Sequence, residues 1–516
     1  KGTASRVSSP ACGGGAEHCE AEGDVGQLGD GMKRILIGIG AIVVLLVVFM
    51  AVRTIMVPAP VEEAAAPPIA VDANVVARHL SEAVRFQTVS YGDGIKEMEK
   101  SKALNDMRLW MEQTYPYFHQ AAGPEQFGDS LLFTWIGKNP NLAPVLLMAH
   151  LDVVPVVPGT EKDWTHAPFS GDIADGFVWG RGTLDDKGQL VSILEAANRL
   201  AMMDFQPERT IMFAFGQDEE VGGAKGNEAI AKALTSRATH FAWVLDEGSS
   251  IMNEPYPGTR KPVAFISNAE KGFLSLELTA HGQGGHAARP SGDLALPRLS
   301  SAILNAVSHP FESDLDDIQR EKLSVLAPLV PFGDRFVLAN LWLTKSLVLS
   351  RMESEPDSAA VLHTTISPTI MNAGIKENVI PPTAHAVINF RLHPRDTIAS
   401  VTAHVKQAVA DAKVDVAQRE ETLSEATKVV ATNSPAYTYV ANAIRATYGV
   451  PVAPDIMTGA TDSRHYLAIA DSVLRFRPYH EEVADLARVH GTNERLAVSD
   501  LGPAVGFYMR LIQDLK

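Results

Sequence analysis

Apolar positions follow three rhythms along this chain. The first is an unbroken run over 35–52, eighteen uncharged residues between Lys33-Arg34 and Arg53. That length meets the lower limit for a helix crossing a bilayer, and it predicts a transmembrane signal anchor over 32–56. A cleaved signal peptide is the alternative, with the alanines at 64–66 as its small-residue site. The basic pair ahead of the run places the N-terminus in the cytoplasm and the bulk of the chain outside it. Residues 1–31 are polar and Gly-rich without periodicity, which predicts a disordered extension without function, and Met32-Lys33-Arg34 looks like a translation start. The Pro/Ala/Glu stretch within 57–70 predicts a semi-extended linker.

The second rhythm is a set of short, wholly apolar runs, as buried parallel strands require. APVLLMA (143–149) ends at His150, RTIMFAFG (209–216) leads into Asp218-Glu219-Glu220, and FAWVL (241–245) ends at Asp246. Between them LVSILEAANRLAMM (190–203) has helical spacing. Strands alternating with helices predict an α/β domain with a mainly parallel sheet. The third rhythm, strict alternation, begins at Phe273 with FLSLELTAHG and returns in HAVINFRLHP (385–394), with helical stretches over 294–308 and 398–412. It predicts an inserted α+β domain over 271–429, splitting the first domain into 71–270 and 430–516. A helix over 499–515, with Ser499 as its N-cap, closes the first domain.

At 516 residues and 46% hydrophobic content, the chain supports more than one core. A net charge of −16 without a Lys/Arg-rich tract excludes nucleic acid as a natural partner. Cys12 and Cys19 are the only cysteines, so the rest of the chain has neither a disulfide nor a thiolate ligand. A metal site of Cys12, His18 and Cys19 is a separate and isolated alternative at the N-terminus.

Five segments carry the candidate chemistry: HLDVVP (150–155), GRGTLDDKG (180–188), DEE (218–220), LDEG (245–248) and HGTNE (490–494). Each supplies a His or a carboxylate, the ligand types of zinc and similar divalent ions. Ligand sites of open α/β sheets form beyond the carboxyl ends of the strands, where His150, Glu219, Glu220 and Asp246 all fall.

These segments, with GATDSRHY (459–466), resemble the M20 family of metallopeptidases, in the branch containing carboxypeptidase S and the N-acyl amino acid hydrolase/synthase. The resemblance runs from about Val71 to the C-terminus. It implies a di-zinc peptidase domain with an inserted lid or dimerisation domain. It makes Asp185 the carboxylate bridging two zinc ions (cobalt or manganese being alternatives), with His150 and Asp246 on one ion and Glu220 and His490 on the other. Asp186 competes with Asp185 for the bridge, and Lys187 pairs locally with a carboxylate. Asp152 orients His150, and Glu219 is the general base. His286, in GGHAA, is implied as an oxyanion donor, reaching a partner subunit's site in dimers. Asn378, Arg391, Gly459 and Arg464 are implied substrate binders, the arginines suiting a free carboxylate; a structural ion pair is the alternative for each arginine. The expected activity is hydrolysis of an amide next to a carboxylate in small peptides or N-acyl amino acids. A membrane-anchored binding protein without catalysis is the alternative. The apolar helix expected over 337–352 lines an acyl-chain pocket, touches a membrane, or is simply buried.

Overall fold

The computed structural model describes residues 25–59, 65–92, 96–259, 261–419 and 423–515. They fall into two compact units, divided between Met56 and Val57. The first is a helix, Val25–Ile55, whose segment Gly31–Ile55 is long and apolar enough to cross a membrane. It starts before Met32, so the end of the expected disordered extension is helical. Once a helix is nucleated, adding polar residues to its end costs little. The Cys12, His18 and Cys19 alternative and part of the linker lie outside the described residues.

In the second unit, ten strands among the described residues form one large sheet. Its centre is parallel: Ile211–Gly216, Val145–His150, Trp243–Asp246 and Val473–Arg475 lie side by side in that order. The sheet as a whole is mixed, which corrects the expectation of a mainly parallel one. Pro124–Phe127 and Ser130–Trp135 form an antiparallel hairpin on one side. Its two-residue connection is opened by Gly128 at φ +63°. On the other side Val263–Glu270 runs antiparallel to Val473–Arg475. The helix Lys187–Met202 packs its buried face on this sheet with Val498–Gln513 and Ala73–Arg85. Val498–Gln513 begins one position before Ser499, which therefore lies in its first turn instead of capping it. The preceding Ala497 is held in a β ladder with Phe177.

Four antiparallel strands form a second sheet, in the order Thr365–Ala373, Thr383–Leu392, Gly272–His281 and Val414–Gln418. Alternate residues Leu274, Leu276, Leu278 and Ala386, Ile388, Phe390 point to helices Ala295–Ser308 and Ile398–Val409, making a core of their own. The expected helix over 337–352 is two helices, Phe332–Leu338 and Leu341–Glu353, broken at Asn340. The Asn340 amide donates to the Phe336 carbonyl at 2.8 Å, taking an acceptor that a continuous helix would use. Trp342, Leu343 and Leu347 on the second helix are exposed.

Candidate metal centre

Three central strands end on one edge, and each delivers an acid or imidazole there. His150 closes its strand opposite Gly216 in the neighbouring one. Glu219 and Glu220 follow Gly216 in a short turn, and Glu247 follows Asp246. Asp185 and Asp186, joined by a cis peptide, come just before the helix Lys187–Met202. His490 returns from the C-terminal part on a turn with φ +61°, a left-handed backbone costing a non-glycine residue about 1–2 kcal/mol.

Asp185 is shared between two clusters. Its Oδ1 lies 2.9 Å from His150 Nε2, and Glu247 Oε1 is 3.4 Å from the same nitrogen. Its Oδ2 lies 3.1 Å from His490 Nε2, with Glu220 Oε2 at 3.2 Å from that nitrogen. Each cluster, His150–Asp185–Glu247 and Asp185–Glu220–His490, is compact enough to hold one ion. Asp186 stands aside, buried, accepting the His150 backbone N–H at 3.2 Å. Lys187 is also buried. It donates to the carbonyls of Ala83 and Phe86 at 3.0 and 2.6 Å, not to a carboxylate as expected.

Glu247, not Asp246, stands beside His150. Asp246 is the last strand residue, and its carboxylate accepts the backbone N–H groups of Glu247 and Ser463, each at 2.9 Å. With Oδ1 held by the N–H of the residue that follows it and Oδ2 by the Ser463 loop, Asp246 is not in either cluster. The next residue presents its side chain to the metal edge instead.

Asp152, wholly buried, organises the centre from behind. Its carbonyl lies 3.0 Å from His150 Nδ1, which leaves Nε2 facing Asp185. Its carboxylate accepts the backbone N–H of Glu219 at 3.1 Å, that of Glu220 at 3.3 Å and Ser90 Oγ at 2.5 Å. A second organiser went unread in the sequence. Glu494 Oε1 accepts the N–H groups of Gly182, Leu184 and Asp185 at 3.0, 2.8 and 3.2 Å. Its Oε2 pairs with Arg181 at 2.6 Å, and Arg181 in turn donates to the carbonyls of His490 and Gly491 at 3.0 and 2.9 Å. One buried ion pair thus ties the Asp185 loop to the strained His490 turn.

The electrostatics call for cations. Burial, with neighbouring carboxylates, raises the pKa of Glu219 well above the usual range and that of Glu247 to about 7. Burial also opposes charge on His150, yet hydrogen bonds to Asp152, Asp185 and Glu247 carry its pKa well above that of an ordinary imidazole. Hydrogen bonds from the His490 ring to Asp185 and Glu220 push its pKa up to about 10. Glu220 Oε1 is buried without a hydrogen-bond partner. Carboxylates crowded around two imidazoles, with an orphaned oxygen among them, match the donor set of a divalent-cation site. The Glu219 carboxylate makes no hydrogen bond among the described residues and belongs to neither cluster.

The other expected residues lie apart from these clusters. His286 and Asn378 share a small ladder, Gly285–His286 against Val379–Ile380, with Ala287 N–H donating to Asn378 O at 3.1 Å. Among the described residues no hydrogen bond or ion pair joins them to the clusters. Arg391, on Thr383–Leu392, stacks 4.7 Å over Phe273, and among the described residues its guanidinium has no acceptor. Arg464 donates to the carbonyls of Thr461 and Gly222 at 3.1 and 2.9 Å, again without a carboxylate. Burial lowers the pKa of Arg391, the charge of Glu270 offsets part of that, and Arg464 lowers it again. A side chain at Gly459 would meet only Met457 Cε, at 3.3 Å, so nothing within the chain demands glycine there.

Comparison with known proteins agrees with this geometry. The family model described as peptidase family M20/M25/M40 matches residues 146–514. A probable carboxypeptidase S-like protein of Dictyostelium discoideum is 34% identical over 445 residues, covering 86% of this chain and 85% of its own. An N-fatty-acyl-amino acid synthase/hydrolase of Xenopus tropicalis is also 34% identical, over 84% of this chain and 85% of its own. The fold is that of an M20 family metallo-carboxypeptidase from Sulfolobus solfataricus (TM-score 0.59, 17% identity, 85% of this chain and 98% of that one). Human carnosine dipeptidase 1 shares it too (TM-score 0.54, 16% identity, 86% of this chain and 97% of that one).

Proposed function

The chain belongs to peptidase family M20/M25/M40, a family of metal-dependent hydrolases, and from that premise we propose that it cleaves an amide bond next to a free carboxylate at a two-zinc centre. The observation that carries this reading is Asp185, whose two oxygens face two separate His–carboxylate pairs. His150 and Glu247 would hold one ion and Glu220 and His490 the other, with Asp185 common to both sets. Zinc is the natural occupant of this donor set, with cobalt or manganese as substitutes.

Ions bound there lower the pKa of a water and polarise the scissile carbonyl. The chain's own residues do the rest. Glu219, a member of neither cluster, would take the proton of the attacking water as it adds to the carbonyl carbon. It returns the proton to the nitrogen as the C–N bond breaks. Asp152 fixes the His150 ring and the Glu219 backbone together, so base and ligand keep one spacing. Arg391 and Arg464, two guanidiniums without a carboxylate of their own, receive that of the substrate. His286 serves as oxyanion donor when the four-stranded domain closes as a lid or pairs with a second copy.

Substrates are small peptides or N-acyl amino acids, as the names of the relatives suggest. The helix Gly31–Ile55 anchors the protein, with the hydrolase outside the cytoplasm; cleavage of that segment would release it. The test is a panel of N-acyl amino acids and dipeptides, each beside its C-terminally amidated form, offered to the full chain in detergent with zinc. Cleavage confined to the free acids supports the reading. Equal cleavage of the capped forms removes the carboxylate from it, and cleavage of none removes the substrate class.

A further inference from the structure

Arg391 lies on a strand of the four-stranded sheet and Arg464 on the short helix Asp462–Ile469, yet both trace back to one buried residue. Glu270 ends Val263–Glu270 in the large sheet and is followed by Gly272–His281 in the four-stranded one. The return crossing pairs with it: Glu270 N–H donates to Thr427 Oγ1 at 2.7 Å, and Thr427 N–H to Glu270 O at 2.9 Å. There is no slack at this junction, since a Cβ on Gly272 would lie 2.5 Å from Ala426 N and from Ser424 O.

The Glu270 side chain, 1% exposed, is spent on the other arginine's loop. It accepts Thr461 N–H at 3.2 Å, Thr461 Oγ1 at 3.1 Å and Arg475 Nε at 2.7 Å. Thr461 O then accepts Arg464 Nη1 at 3.1 Å. Three residues beyond Glu270, Phe273 is the cross-strand partner of Arg391 and lies under its guanidinium. Asp246 adds a second anchor to the Arg464 loop through Ser463 N–H.

Resting on the carboxylate reading above, we propose that Glu270 is a positioning residue for substrate recognition: acting through Thr461 on one side and the strand junction on the other, it sets the spacing of the Arg464 and Arg391 guanidiniums that grip the substrate carboxylate. A neutral scaffold could hold the fold, but selectivity for a free acid depends on that spacing. Displacing a binding group by about 1 Å costs up to about a hundredfold in rate.

The experiment uses the full chain loaded with zinc and compares an N-acyl amino acid with its C-terminal amide. Thr461→Val keeps every charge and nearly the same shape but removes the hydroxyl that meets Glu270, Arg475 and Ser463 Oγ. Its free-acid preference is expected to fall at least about tenfold, through KM for the acid. The amide rate and bound metal should be unchanged, and Thr461→Ser should restore the ratio. Glu270→Gln separates position from charge. Lost positioning raises KM for the acid, whereas a mere charge effect lowers it, because an unpaired Arg475 would attract the carboxylate. An unchanged ratio in a folded Thr461→Val protein, or a lowered KM in Glu270→Gln, overturns the proposal and leaves the carboxylate reading standing. A wild-type enzyme indifferent to the carboxylate overturns both. If Glu270→Gln does not fold, the Thr461 pair alone decides.

Discussion

Glu494→Gln keeps the shape of the side chain and removes its charge. Arg181, 2% exposed, would then stay buried with no counter-charge, a fault worth about 3–5 kcal/mol. Three backbone N–H groups also exchange a carboxylate for a neutral oxygen, about 1 kcal/mol weaker per bond at most. A net loss of roughly 5 kcal/mol is a third or more of a typical stability. At about 2 cal/mol/K of unfolding entropy per residue, the body Val57–Lys516 carries about 1 kcal/mol/K, so its melting temperature should fall by about 5 °C. Calorimetry on chelator-treated protein keeps metal binding out of the measurement. The double replacement Arg181→Met with Glu494→Met removes both charges and should recover at least half the loss. It should not recover metal affinity, because the His490 and Gly491 carbonyls have lost their donor. A single variant melting within about 1 °C of wild type, or a double variant melting below the single, refutes the reasoning.

Glu247→Ala should cost one of two bound metals, while Asp246→Asn should keep both and chiefly raise KM, since Asp246 holds the Ser463 loop; metal analysis of the two variants in parallel distinguishes them. Metal affinity should rise with pH, because His490, pushed up to about 10 in the metal-free chain, must lose its proton to bind. The sign for stability is opposite. The raised pKa stabilises the metal-free fold fully below the unfolded value near 6.5, and that contribution is lost as pH rises through about 10. Zinc titrations at pH 6, 7 and 8 with equal affinities would contradict this. Gly272→Ala, which forces a Cβ within 2.5 Å of two backbone atoms, should destabilise by a few kcal/mol, about 2–3 °C in melting temperature.

Much of the two acid–imidazole clusters was legible because several of their residues sit at strand ends, where a short apolar run stops at His150 or just before Glu219-Glu220. The choice between Asp246 and Glu247 was not, because adjacent acids at a strand end differ only in which way each side chain turns. That direction is set by Ser463, more than two hundred residues away in sequence. Arg181, Glu270 and Glu494 were hidden for the same reason: each is an ordinary charged residue until the fold buries it against a distant partner. The mixed character of the large sheet was hidden in its flanks, where the outermost strand Pro124–Phe127 is largely exposed and only the turn residues Gly128-Asp129 hinted at a hairpin. Periodicity did find the two central strands of the second sheet, Gly272–His281 and Thr383–Leu392, and its two packed helices, but not the outer strands Thr365–Ala373 and Val414–Gln418.

The most direct test of the two-zinc, Glu219-base account is metal content and turnover of Glu219→Gln beside wild type, on whichever N-acyl amino acid or dipeptide the wild type cleaves best. The expected result is two metals in both proteins and a kcat lower by at least about a hundredfold in the variant. A variant that holds both metals and still turns over within a few-fold of wild type would contradict the account.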